Sequence, residues 1–229
     1  MKITVIHGQS HKGSTYNIAK ELYDNLDGEV TEFFLPKDFD CFCKGCTACF
    51  ARSEAECPDY EKLKPITEAI DRADVIIFAS PVYVFHSTGA MKALLDHYGY
   101  RFMVHRPEEK MFRKQAVCIA TAAGAGMGST IKDMADSAFF WGVARTYKIG
   151  IGVAETSWER VNQKIKKRID KKTTAVARKV INRVGKVKPG IKTKAFFEIM
   201  ALMQKNGFNP ADAEYWNKKG WVGKKRPWK

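Results

Sequence analysis

Residues 73–98 read ADVIIFASPVYVFHSTGAMKALLDHY, and this stretch decides the fold. Val75 to Ala79 are apolar without alternation, as in a strand covered on both faces. Ser80-Pro81-Val82-Tyr83 closes the run with a rigid turn, and helical spacing follows over 89–98. A fully buried strand feeding a helix is the repeating unit of an α/β protein with a parallel sheet.

The same unit recurs on either side. KITVIH (2–7) alternates and is β-branched; GQSHKGST (8–15) turns; Ile18, Leu22 and Leu26 then fall on one helical face. A second strand is predicted over 30–35 and a helix over 60–72, with Leu63, Ile66 and Ile70 on one side. QAVCIATAA (115–123) is another buried strand, followed by a Gly-rich turn, a helix over 129–142 and a last strand over 146–153. The expected fold class is α/β, a doubly wound five-stranded parallel sheet.

Beyond this the character changes. Trp158, Val161, Ile165, Ile169, Val176, Val180 and Val184 recur at three- or four-residue steps between lysines and arginines, predicting a long amphipathic helix from 157. Gly185, Pro189 and Gly190 break it, and a second helix is predicted over 193–206. Residues 1–154 carry 18 basic and 19 acidic side chains, whereas 155–229 carry 21 and 6. The expected organisation is therefore a near-neutral domain, 1–154, and a basic helical C-terminal extension, 155–229. With 229 residues the chain can bury a core without disulfide staples. No apolar run reaches the 18 residues of a membrane span, and MKITVIHG lacks the pattern of a signal peptide, so a cytoplasmic location is expected.

In such sheets ligands bind beyond the carboxyl ends of the strands, and three loops there carry chemistry. The first holds Gln9, Ser10, His11, Lys12, Ser14 and Thr15. Its backbone N–H groups and the following helix N-terminus favour a phosphate, with hydroxyls and a cation in support. The bland alternative is an ordinary turn in which Ser14 or Thr15 caps a helix. In the second, Pro81, Val82, Tyr83, Val84 and His86 form a rigid apolar shelf suited to a flat ring. The third, with Thr121, Ala122, Gly124 and Gly126, lets a ligand approach the backbone closely. Together the three describe a site for FMN, a flat ring system with a phosphate end.

GQSHKGST resembles the phosphate turn of flavodoxin-like NAD(P)H-dependent FMN reductases, although Gln9-Ser10-His11 replaces the usual Ser-Pro-Arg. The stretch 73–101, with its S-P-V-Y and K-x-x-x-D, is similar to that family's second signature. Cys43-Lys44-Gly45-Cys46 resembles the iron–sulfur flavoprotein branch, and AEYWNKKGW (213–221) resembles C-terminal segments of the wider group. The resemblance implies a flavodoxin-like fold, FMN at the three loops, NAD(P)H as donor and a small quinone-like acceptor. It also implies a homo-oligomer and largely backbone-based binding, so no catalytic acid–base residue is expected.

Cys43, Cys46, Cys49 and Cys57 lie in a loop, 41–57, with spacing C-x2-C-x2-C-x7-C. Four thiolates so close can hold a 4Fe–4S cluster, and Cys57-Pro58 echoes the ending of bacterial ferredoxin runs. Bare or redox-active thiols, a structural zinc and disulfides are the other readings, the last disfavoured in a reducing compartment. Cys41 has no assigned use; Cys118, in an apolar strand, belongs to the core. Of the histidines only His86 lies beside the proposed shelf; His7, His97 and His105 have structural readings.

The basic extension could dock an acidic ferredoxin-like partner or an anionic membrane surface, or it could pack on the domain or a second subunit. No nucleic-acid motif is present, so that partner is not expected. The expected function is FMN-dependent electron transfer from NAD(P)H or a reduced carrier to a small acceptor or an iron–sulfur cluster. The rival is a redox-sensing or macromolecule-binding flavoprotein without turnover.

Overall fold

The computed structural model describes residues 1–155, 157–207 and 209–229. The strands are β1 (Lys2–His7), β2 (Glu29–Phe34), β3 (Val75–Pro81), β4 (Gln115–Ala122) and β5 (Arg145–Gly152). The helices are α1 (Ser14–Asp24), α2 (Ala48–Ala51), α3 (Tyr60–Arg72), α4 (Gly89–Asp96), α5 (Met127–Phe140), α6 (Gln163–Ile181), α7 (Ile191–Lys205) and α8 (Pro210–Lys219). All strand pairs are parallel, in the order β2-β1-β3-β4-β5. The expected flavodoxin-like doubly wound sheet is what forms. Chain order reverses between β1 and β3, which opens a crevice at their carboxyl ends.

Alternation along the buried strands divides two cores. Ile76, Phe78 and Cys118 face Leu63, Ile66, Leu94 and Trp141 on the α3–α4–α5 side. Val75, Ile77, Val117 and Ile119 face Ile18 and Leu22 of α1 and Ile169, Ala177 and Val180 of α6 on the other. Burial pushes the Cys118 thiol up to about 12, so it stays protonated in the core.

The long helix begins later than its periodicity suggests. Trp158 and Val161 lie in turns, and the Asn162 side chain accepts from Lys164 N–H at 2.7 Å, setting the start of α6 at Gln163. α8 was not expected, although its signal is present: Asn209 caps it and Pro210 occupies its first turn. α7, α8 and the chain end pack over Met103 and Phe112 in a third, largely aromatic core. Phe197 lies 4.7 Å from Trp216 and 5.0 Å from Trp228, centroid to centroid.

Lys114, just before β4, is a buried cation. Its Nζ donates to the Asp71 carbonyl at 2.9 Å and to the Ala73 carbonyl. Burial pulls its pKa from the ordinary 10.5 to about 8, against the opposing pull of Asp71 and Asp74. A base with a depressed folded pKa destabilises the fold wherever it is charged. The cost is fully present below pH 8 and is relieved between about 8 and 10.5, a gain of roughly 2–3 kcal/mol. Urea unfolding of wild type should therefore show this extra gain between pH 7 and pH 10, and Lys114→Met should lack it. Identical pH slopes would contradict the assignment.

Candidate functional site

A cavity of about 540 Å³ opens at the carboxyl ends of β1, β3, β4 and β5. Its size is that of a cofactor pocket. Gly8, which ends the β1 side, lets the two edges of the crevice meet: a Cβ there would lie 2.9 Å from Thr88 Oγ1 and 3.0 Å from Ser80 Oγ.

The start of α1 offers donors that could cradle an anion. α1 begins at Ser14 with Gly13 at the capping position, and no side chain caps its free N–H groups. Among the described residues, the Ser14 hydroxyl is buried with no hydrogen-bond partner. Leaving buried donors unsatisfied costs about 1–3 kcal/mol each, a cost a phosphate would remove. Thr15 and Thr121 hydroxyls share a 2.5 Å hydrogen bond that ties the cradle to β4. His11 lines the cavity. Lys12 instead sits over the rings of Tyr16 and Phe34, 5.1 and 5.4 Å from their centroids, and is not among the lining residues.

Pro81, Val82 and Tyr83 after β3, and Thr121, Ala122 and Ala123 at the end of β4, line the same cavity. Tyr83 hydroxyl donates to Gln9 Oε1 at 3.0 Å, joining shelf and cradle loop. Tyr83 and His86 pair back to back around a two-residue turn, Tyr83 N–H to His86 carbonyl at 2.9 Å and the reverse at 3.0 Å. Val84 and Phe85 occupy that turn with φ of 48° and 65°, left-handed values that cost a branched or bulky residue about 1–2 kcal/mol each. Such strain concentrates at functional sites. The Ser129 hydroxyl holds the Phe85 carbonyl, and Gly126, at φ 90°, makes room: a Cβ there would meet Val82 Cγ1 at 2.6 Å.

Of the residues expected to line this site, Gln9, His11, Ser14, Thr15, Pro81, Val82, Tyr83, Thr121 and Ala122 do so. Ser10 is turned to the Leu35 carbonyl at 3.3 Å. Val84 forms the exposed tip, Gly124 is exposed, and Gly126 faces the 82–85 turn. His86 Nδ1 lies 3.2 Å from both Asp133 oxygens, outside the cavity wall. Gly13, Ala123, Val153, Ala154 and Glu155 also line it. The last three follow β5 and complete a fourth wall.

The four cysteines meet in a second pocket. Cys43, Cys46, Cys49 and Cys57 line it together with Phe50, Asp59 and His97. None is in a disulfide. Burial, then the neighbouring thiols, raise the Cys49 pKa; Cys57 is raised chiefly by burial. Such mutual repulsion between thiolates is relieved by a shared cationic centre. A set of four soft sulfur donors on one pocket fits an iron–sulfur cluster chemically. Cys57, Asp59 and His97 also bring one ligand-type atom each within 4.8 Å of one another. His97 Nε2 is 3.1 Å from Asp59, while its Nδ1 donates to the Ala93 carbonyl at 2.8 Å.

This loop is fastened by residues far away in sequence. Arg106 donates to the carbonyls of Cys49 and Phe50 and to Asp212 of α8. Asp212 is fully buried and also accepts from His105 Nδ1 at 2.7 Å. No spacing rule marks this node; only the fold brings 106 and 212 together. His7 likewise is structural, stacked on Phe34 and 2.8 Å from Glu32, with burial lowering its pKa.

The family model for NADPH-dependent FMN reductase matches residues 1–157. An iron-sulfur flavoprotein of Archaeoglobus fulgidus is 30% identical over 139 residues, 58% of this chain and 59% of that protein. The chain thus spans less than two thirds of that relative. An iron-sulfur flavoprotein of Clostridioides difficile is 29% identical over 178 residues, covering 73% and 76%. Among solved structures, an NAD(P)H:quinone oxidoreductase from Methanothermobacter marburgensis shares the fold with TM-score 0.61 at 16% identity, over 79% of this chain and 96% of that one.

Proposed function

The chain belongs to the NADPH-dependent FMN reductase family, and from that premise we propose that it is an oxidoreductase that binds FMN at the ends of β1, β3, β4 and β5. NAD(P)H or a reduced carrier would be the donor. The acceptor would be a small quinone-like molecule or an iron–sulfur cluster held by Cys43, Cys46, Cys49 and Cys57. The observation that carries this reading is the Ser14 hydroxyl, without a partner among the described residues, beside the uncapped start of α1 in a cavity also lined by Pro81, Val82 and Tyr83.

Ser14, Thr15 and the α1 N-terminus would bind the phosphate, with the His11 ring lining the same cavity. Pro81, Val82 and Tyr83 would orient one face of the ring system, and Ala122 and Ala123 would admit its edge to the backbone. When bound, FMN supplies the hydride chemistry, and the chain positions and tunes it. The hydrogen bond from Tyr83 to Gln9 fixes the shelf against the cradle. The exposed tip, Val84 at 94% and Phe85 at 63%, supports a homo-oligomer that covers it. The names of the curated relatives and the four-thiol pocket support the cluster.

The test is turnover. Protein purified without oxygen and loaded with FMN should oxidise NADPH steadily in the presence of a soluble quinone, and protein stripped of FMN should not. The rival reading, a flavoprotein that senses or binds without turnover, predicts FMN binding with no sustained oxidation. That outcome would overturn the enzyme assignment.

A further inference from the structure

α7 leaves an apolar stripe uncovered. Ile191 is 88% exposed, Leu202 64% and Ile199 56%. At about 100° per residue these three fall within about a quarter of the helix circumference. The opposite side is fixed inward: Phe197 and Met200 are buried, and Gln204 donates to the Val104 carbonyl at 2.6 Å. The helix therefore cannot roll to hide the stripe.

Both flanks of the stripe are cationic. On one side Lys192 lies over the Phe139 ring, 4.7 Å from its centroid. On the other a cleft of about 450 Å³ is lined by Lys194, Lys224, Arg226 and Lys229. Glu198, the acidic residue within that cleft, is already paired with Arg226 through two 2.6 Å hydrogen bonds. A neighbouring cleft adds Lys218 and Lys225, while Lys219 there is paired with Glu109 at 3.3 Å.

We propose that this face of α7, with its basic flanks, docks the protein on an anionic lipid bilayer. An aliphatic stripe edged by lysine and arginine is the arrangement of a helix lying in a membrane interface. Three observations favour lipid over other occupants. Residues 155–229 carry 21 basic and 6 acidic side chains, so a second copy brought to the same face would be repelled. The large aromatic side chains Phe197, Trp216 and Trp221 are buried in the core they share with Met103 and Phe112. Among the described residues the stripe offers aliphatic groups only, whereas nucleic-acid platforms and protein hot spots draw on exposed rings.

Sedimentation of the full chain with vesicles tests this. Vesicles of phosphatidylcholine with about one third phosphatidylglycerol should retain the protein at least about tenfold better than phosphatidylcholine alone. The double variant Ile199→Asp/Leu202→Asp, altered only at exposed positions, should keep the wild-type melting temperature and lose at least about tenfold of that retention. Lys192→Glu/Lys224→Glu should also lose it. Equal retention by both vesicle types would overturn the proposal. So would unchanged retention of the Ile199→Asp/Leu202→Asp protein, which would point to a purely electrostatic surface for an acidic partner. Self-association of wild type without vesicles, abolished by the same double variant, would assign the stripe to a second copy and equally overturn it.

Discussion

Ser14→Asp is expected to weaken FMN binding by at least about a hundredfold while leaving the protein as stable as wild type or slightly more so. The two effects separate because position 14 is the first residue of α1. A carboxylate there accepts from the free N–H groups and complements the helix dipole, which offsets the cost of desolvating it in this part-buried position. The same carboxylate would occupy the free N–H groups and set a negative charge against an incoming phosphate. A hundredfold loss corresponds to about 2.7 kcal/mol, modest for a buried like-charge contact. Ser14→Ala removes one donor and should cost only about tenfold. Fluorescence titration of FMN, paired with thermal melts, reads both effects. Unaltered affinity in Ser14→Asp would mean that the phosphate does not sit at the start of α1.

Cys49→Ala should abolish iron binding while FMN binding persists. In the cluster reading, wild type purified without oxygen carries about four irons and four sulfides per chain, and losing one of four thiolate ligands drops this below one. Cys49 is the informative position because its carbonyl is gripped by Arg106, so its sulfur is held in place by the fold. Cys41→Ser is the control: Cys41 lies outside the four-thiol pocket and should leave the iron content unchanged. Iron-free wild type, or equal iron in Cys49→Ala, would leave the thiols as redox groups or ligands of another metal.

Much of this was legible in the chain itself. The continuous apolar runs of β3 and β4 can only be strands covered twice, and Gly, Ser and Pro at their ends mark where the sheet edge opens. Those local signals located the cradle, the shelf and the cysteine pocket. What was hidden depends on long-range geometry. Val153, Ala154 and Glu155 reach the cavity because β5 lies next to β4, which no local pattern states. Lys12 and His86 look like ligands by position, yet neighbouring rings and Asp133 draw them aside. The Arg106–Asp212 node bridges 106 residues of sequence. α6 starts later than its apolar spacing implies, because that spacing continues through turns that pack on the same core and the Asn162 cap, not periodicity, sets the boundary.

Titration of FMN-free wild-type protein with FMN, following flavin fluorescence, asks whether the strand-end cavity binds the cofactor as proposed. Saturable binding of one FMN per chain is expected, with a dissociation constant of about 1 μM or lower, and its loss in Ser14→Asp. A folded protein without saturable binding would show that the cavity is not an FMN site.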